Sequence, residues 1–336
     1  MRRVLPAALL TLLSATSVHA ASGDPFIVGI GRSLNDSTGA STALSWLGVE
    51  SVRLDVPWAM VEASPGRFAI PPSIETAVND ALAANIEPLL ILAYGHPAYG
   101  GDKPTAPAAI NAFARYATFV VTHFKGRVRL FDLWNEWDAR TGGTTPGDAD
   151  SYVALAKRVY PAIKAANPQA VVLSGGLSAT GLQAGWLERF LRQGGLQFVD
   201  ALSIHPYNFQ LRTGNTPESA IAQLERIHAL AAPYARNGAL KIYVTEMGWP
   251  AFNGKGGVSQ DTAAEYLTRF LKLASGRQFI AGVWWYCLRD QGTEPGNKEH
   301  HFGVMDVSLR PKPAAHALRR FMRRPNPPVI QKSSGG

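Results

Sequence analysis

Apolar and polar positions along the chain fall into alternating blocks. Short apolar runs recur at 26–30, 51–56, 88–94, 127–134, 170–175, 198–205, 240–246 and 280–286. Between them lie segments with helical spacing at 41–46, 74–84, 108–123, 149–166, 185–193, 217–235 and 261–274, and a last one at 314–322. The run Pro88-Leu89-Leu90-Ile91-Leu92-Ala93 is almost unbroken, which marks a strand buried on both faces, as in parallel sheets. Strands that alternate with helices predict a parallel sheet. Eight such units without a sequence repeat predict an α/β protein, a closed (β/α)8 TIM barrel in a single domain. An open doubly wound sheet is the alternative, but its glycine-rich phosphate turn should follow the first strand, and Gly31-Arg32-Ser33 does not supply one.

Length and composition agree with one large domain: 336 residues, 46% hydrophobic and 17% charged. The ends read differently. Residues 1–20 have the make-up of a signal peptide, with Arg2 and Arg3, then an apolar stretch at 4–13, then Val18-His19-Ala20 before the cleavage point. That stretch is too short to span a bilayer. The expectation is an exported protein, periplasmic or secreted, with no stable membrane insertion after cleavage. The barrel then occupies 21–324, and the Pro-, Gly- and Ser-containing segment 325–336 is expected to be a disordered tail.

Formal net charge is +8. Loss of Arg2 and Arg3 takes 33 basic residues to 31 against 25 acidic, or +6. A basic balance raises the question of nucleic acid. The only basic clusters are Arg319-Arg320 and Arg323-Arg324, and neither zinc-ligand spacing nor an aromatic–basic RNA motif occurs, so no nucleic-acid partner is expected. Cys287 is the single cysteine, so no internal disulfide can form; its apolar surroundings suit a small buried hydrophobe. A monomer is expected.

In a (β/α)8 barrel, chemistry gathers at the C-terminal ends of the strands. There strand two offers Arg53 and Trp58, strand three Tyr94 and His96, and strand four Asn135 and Glu136. Strand six offers His205 and Tyr207, two apart and so on one face; strand seven offers Glu246 and then Trp249; strand eight offers Trp285. A desolvated carboxylate is costly unless paired, and two at one aromatic-lined mouth suit glycoside hydrolysis, one as proton donor and one as nucleophile or base. Metal-assisted hydrolysis would need histidines at ligand spacing. His300-His301 are adjacent and point apart, and His205 stands alone on its strand, so neither a metal nor another cofactor is expected. The two carboxyls need opposite charge states, and both burial and a neighbouring anion are expected to raise the pKa of Glu136.

Trp134-Asn135-Glu136 and Thr245-Glu246 resemble the signature of clan A retaining glycoside hydrolases. From Phe26 to Met322 the chain is most similar to glycoside hydrolase family 39, in particular its bacterial members associated with exopolysaccharides. The resemblance extends to His205-Pro206-Tyr207, to 285–290, to 302–306 and to 311–314. Trp137 departs from it, since many members carry Pro after the Asn-Glu pair.

The resemblance implies Glu136 as acid/base, Glu246 as nucleophile and Asn135 on the sugar 2-hydroxyl. It implies that Tyr207 and Arg53 hold Glu246 in place and ionised, that His205 supports the acid or Tyr207, and that Trp285 floors the central sugar subsite. Trp137, Trp249, Tyr94 and His96 would complete the substrate-binding set. Asp132, with the strand parity of Glu136 but deeper, is expected to be a structural partner of Arg53.

The implied substrate is a polysaccharide or oligosaccharide. The aromatics Trp58, Tyr94, Tyr99, Trp137, Tyr207, Phe209, Trp249 and Trp285 suggest a groove cut internally along a polymer, since sugar rings stack on such side chains. Lys103, Arg140, Arg212, Arg289 and Lys298 could favour an acidic glycan. The alternatives are a carbohydrate-binding barrel without catalysis and an exo-acting glycosidase on small glycosides.

Overall fold

A computed structural model describes residues 25–36, 39–236 and 239–323. The proposed signal peptide at 1–20 and tail at 325–336 lie outside the described residues. The barrel strands are β1 Ile27–Gly31, β2 Ser51–Pro57, β3 Glu87–Ala93, β4 Leu130–Leu133, a divided β5 at Val171–Leu173 and Leu177–Ser178, β6 Leu202–His205, β7 Ile242–Met247 and β8 Ile280–Trp285. The main helices are α1 Ala40–Leu47, α2 Pro72–Ala83, α3 Pro107–His123, α4 Ala149–Ala166, α5 Trp186–Arg192, α6 Pro217–Ala231, α7 Gln260–Ser275 and α8 Pro313–Met322. A short hairpin, Glu62–Ser64 with Arg67–Phe68, follows β2 and was not expected from the apolar pattern.

All barrel pairings are parallel, in the order β5-β4-β3-β2-β1-β8-β7-β6-β5. The first and last segments in that order are the two halves of β5. The lower half bridges to Ala201 through Leu173 and the upper half pairs Ser178 with His205, so the ring closes into the expected (β/α)8 barrel. β3 is buried from Pro88 to Ala93, which explains its unbroken apolar run.

The helices begin where local chemistry satisfies their free N–H groups. Asp148, Thr216 and Ser259 accept from Ser151, Ser219 and Thr262 at the starts of α4, α6 and α7. Proline opens α2, α3, α6 and α8, where its missing N–H costs nothing.

The lower barrel is plugged by Trp284. Its indole donates to Ser51 Oγ at 2.9 Å and stacks on Tyr243. Gly29 makes room for it, since a Cβ there would sit 2.3 Å from the ring. With the floor filled, the open volume of the barrel lies at the C-terminal mouth.

Candidate active site

β4 ends in a sharp turn. Trp134 and Glu136 both hold positive φ, 85° and 50°, a left-handed conformation that L side chains adopt only when neighbours impose it. The imposing contacts are visible. Trp134 N donates to Leu92 O and Glu136 N to Gly175 O, so the chain is tied to β3 and β5 on either side. Trp134 consequently turns into the core, and Glu136 turns over the barrel mouth. β5 is broken at the same level by Gly175 and Gly176. A Cβ on Gly176 would lie 2.5 Å from the His205 ring, so the glycine gives that imidazole its space.

β7 carries a bulge. Val244 pairs with Val283 and Met247 with Trp285, three steps on β7 against two on β8. The extra residue lets two successive side chains, Thr245 and Glu246, both reach the interior. Thr245 meets Ser203 and His205, while Glu246 enters the cleft. Arg53 Nη1 donates to Glu246 Oε1 at 2.6 Å, and the Tyr207 hydroxyl donates to Oε2 at 3.0 Å. Arg53 Nη2 donates to Asn135 Oδ1 at 2.7 Å, and Asn135 Nδ2 donates to the Tyr94 hydroxyl at 3.3 Å. One guanidinium thus fixes both Glu246 and Asn135.

His205 is fully buried beneath the carboxyls. Its Nδ1 lies 2.9 Å from Glu136 Oε1 and 3.7 Å from Glu246 Oε2, and Nε2 meets Thr245 Oγ1 at 3.0 Å. Burial works against its charge, but Glu246 and Glu136 together outweigh burial and raise its pKa. Burial also pushes the Glu136 carboxyl up. Against that, the hydrogen bonds from His205 and Thr141 prevail, and its pKa lies below the ordinary value. This corrects the expectation of a raised Glu136: its pKa is lowered, and that of His205 beside it is raised. Burial likewise opposes the Arg53 charge, and Glu246, Asp55 and Asp132 overcome it and raise its pKa. Tyr207, raised by burial and by Glu246, keeps its proton and donates.

Glu136, His205 and Glu246 each place a ligand atom within 4.8 Å of the others. Such a triad has the donors for a cation, but the Arg53 guanidinium on Glu246 would oppose a divalent ion there, which favours acid–base chemistry. The mouth forms a cleft of about 550 Å³, within the usual size of small-molecule sites.

Several expected residues stand elsewhere. Arg53, Tyr94, Asn135, Glu136, Tyr207 and Glu246 line the cleft. His96 does not: its Nε2 bonds Glu62 O, its Nδ1 accepts from Ala98 N, and it caps a 3-10 turn. Trp137 is buried, donates to Asp148 O and packs on Trp134 and Tyr152. Trp249 donates to Asn215 O and packs on Tyr266 and Phe270 of α7, with Trp285 beside it. Trp285 therefore faces the helix layer, and Tyr286 lines the cleft in the place expected for it. Strand alternation carries this signal, because Trp284 points inward and Tyr286 shares its parity.

Trp58 is also core, and Tyr99 stacks on it. Asp132 is held by Gly175 N at 2.6 Å and Ser203 Oγ at 2.7 Å, so its hydrogen-bond partners are these and not Arg53. Of the five cations, Lys298 lines the cleft. Lys103 is buried on the carbonyls of Ala139 and Thr145, and Arg289 pairs with Asp36. Cys287 is a buried part of the cleft wall, its thiol pushed up to about 12 by burial. Asp55, two residues beyond Arg53 and also lining the cleft, was not singled out from the sequence.

Among known proteins, the family model for cellulase, glycosyl hydrolase family 5, matches residues 31–288. Comparison with curated protein sequences gives no match. Among solved structures, the chain is similar to a family 39 glycoside hydrolase from the gut symbiont Bacteroides cellulosilyticus WH2. The identity is 26% and the TM-score 0.77, over 89% of this chain and 64% of that one. It is also similar to GH5_18 from Streptomyces cattleya in complex with GlcNAc, at 16% identity and TM-score 0.72, over 90% and 81%. A third is xylanase 10B from Thermotoga maritima, at 17% identity and TM-score 0.66, over 88% and 94%. The chain thus spans less than two thirds of the first of these. The clan A resemblance read from the sequence is borne out, and a family 39 enzyme stands among the similar structures.

Proposed function

The chain belongs to the cellulase family, glycosyl hydrolase family 5, and is a glycosidase; from that premise we propose that it hydrolyses a polysaccharide or oligosaccharide with net retention, using Glu246 as nucleophile and Glu136 as acid/base. The single observation that carries this reading is the closeness of the two carboxyls in unlike surroundings. One oxygen of each lies within 4.8 Å of the other, an approach that suits the spacing of about 5–5.5 Å between the carboxyls of retaining enzymes. Glu246 accepts from Arg53 and Tyr207, contacts that suit an anion ready to attack. Glu136 shares a proton with His205.

In the first step a Glu246 oxygen attacks the anomeric carbon as the bond to the leaving oxygen breaks. Glu136 gives that oxygen its proton, drawn from His205 Nδ1 across the 2.9 Å contact. In the second step Glu136 takes a proton from water, and the water oxygen displaces Glu246 from the glycosyl ester. Asn135 spends Oδ1 on Arg53 and keeps an Nδ2 hydrogen for the sugar 2-hydroxyl. Tyr286 supplies an aromatic wall. No step calls for a cofactor.

Internal cutting of a polymer is supported by the continuation of the cleft. Lys298 lines both the catalytic cleft and a second depression of about 720 Å³ bounded by Phe252, Asn253 and Lys255. Exo-action is a second reading, favoured by the core positions of Trp58, Trp137, Trp249 and Trp285, which removes four of the eight expected sugar platforms. The composition of residues 1–20 supports export of the enzyme, and among the described residues no helix is long and apolar enough to cross a membrane. Sugar release from a glycan panel by the wild type, lost in Glu246→Gln, tests the proposal; equal release by both would end it.

A further inference from the structure

The buried carboxylates among the described residues, Glu62, Asp132, Asp138 and Asp290, are matched by donors. Asp132 takes Gly175 N and Ser203 Oγ. Asp138 takes Ser178 N, Ser178 Oγ and Gly181 N. Asp290 is paired with Lys312 and Gly303 N, and Glu62 receives Trp58, Gly66 N and Tyr99. The half-buried Asp55 at the mouth has no such set of donors. It lies on β2 two residues beyond Arg53, hence on the same inward face, and lines the cleft beside Glu246 and Tyr94.

Among the described residues no cation stands within ion-pairing distance of Asp55. The nearest candidate, Arg53, directs Nη1 to Glu246 and Nη2 to Asn135. Burial, and after it Glu246, raise the pKa of Asp55, while Arg53 and the Tyr94 hydroxyl, which accepts from Asn135 and so has its own proton free, lower it. A carboxylate has about four acceptor positions. Most of those on Asp55 are left to whatever enters the cleft.

We propose that Asp55 is a substrate-binding, specificity-determining residue: its carboxylate accepts hydrogen bonds from neighbouring hydroxyls of the sugar seated in front of Glu246, and its charge excludes a sugar bearing a carboxylate at that position. The inference rests on the glycosidase reading and narrows it to a neutral sugar at the point of cleavage. Hydroxyl donors to an ionised acceptor form strong, charge-assisted bonds, and a desolvated site magnifies them. The same desolvation makes a second carboxylate beside Asp55 and Glu246 repulsive. Acidic residues of a polymer would then have to lie away from this position, toward Lys298.

The test compares wild type with Asp55→Asn on neutral aryl glycosides and oligosaccharides and on the matching uronides, with melting temperatures alongside. Wild type should prefer the neutral series. Asp55→Asn should lose about 10- to 100-fold in kcat/KM on it, narrow the gap to the uronides, and melt no lower than wild type, since it removes a poorly matched charge. A wild-type preference for uronides overturns the proposal without any variant. So does an Asp55→Asn enzyme that keeps its kcat/KM on the neutral series, or one that merely melts lower with unchanged kinetics. Should Asp55→Asn fail to fold, deoxy sugars assayed on the wild type decide. Each hydroxyl bound by Asp55 should cost a similar factor when removed, and no loss from any of them contradicts the proposal. A wild type that cleaves neither series sinks the glycosidase reading itself, whereas an active wild type matched by Asp55→Asn sinks only this inference.

Discussion

His205 Nδ1 lies 2.9 Å from Glu136 Oε1, and the imidazole is fully buried. The contact makes the pair one proton-holding unit. The pKa of His205 is raised by Glu246 and Glu136 against burial, and that of Glu136 is lowered by His205 and Thr141 against burial. Under the proposed mechanism, the proton for leaving-group departure is lost as pH rises through the elevated His205 value, above the ordinary 6.5.

His205→Gln leaves Glu136 to hold the proton alone, with burial as its main influence. The basic limb of the kcat/KM profile should move to lower pH by about a unit or more. An unmoved limb would show that the proton never resided on His205. Stability carries the same signature. The raised His205 pKa contributes stability that is complete below 6.5 and is lost as pH rises through the folded value. The lowered Glu136 pKa contributes stability present above 4.5 and lost as pH falls through its folded value. Wild-type melting temperature should decline at both ends, and His205→Gln should flatten the alkaline decline.

Arg53 and Glu246 form a buried ion pair at 2.6 Å. Removing one partner strands the other, so Arg53→Ala should cost about 3–5 kcal/mol of stability. It should also abolish most activity, because Asn135 loses its anchor at the same time. Denaturant titration checks the first outcome. A loss below about 1 kcal/mol, in the range of surface pairs, would contradict the pairing.

Tyr286 and Trp285 should separate cleanly. Tyr286→Ala should raise KM with little change in melting temperature. Trp285→Ala, a cavity under α7, should cost about 3–5 kcal/mol while the folded fraction keeps its KM. Reversed effects would return Trp285 to the cleft.

The contrast between these two residues marks how far the sequence is legible. Apolar runs reveal the strands because parallel barrel strands are buried on both faces, and the alternating helices follow from amphipathic spacing. Inward residues within a strand follow from alternation, which links Arg53 to Asp55, and Tyr286, the first residue after β8, still keeps the parity of Trp284. Further beyond a strand end that rule lapses. His96, Trp137 and Trp249 lie in such turns, where tertiary contacts set the chain direction, and all three turn into the protein. Trp134 and Glu136 take left-handed backbone without the glycine that usually signals it. The bulge at Thr245 and Glu246 arises from pairing with β8, which no local pattern reveals.

Endo-action predicts an early drop in polymer viscosity and oligosaccharides before monosaccharide. Monosaccharide alone from the first minutes, with polymer length nearly unchanged, would favour the exo reading and confine binding to the cleft around Tyr94, Tyr207 and Tyr286.

The assignment of Glu246 and Glu136 is tested most directly by azide rescue. Glu246→Ala removes the nucleophile, so azide attacks the substrate itself and yields a glycosyl azide of inverted configuration. Glu136→Ala, given a substrate with a good leaving group, still forms the glycosyl ester on Glu246, and azide then displaces it with overall retention. NMR of the two products reads the configurations. Opposite anomers are predicted, and identical anomers from both variants would contradict the roles given to the two carboxyls.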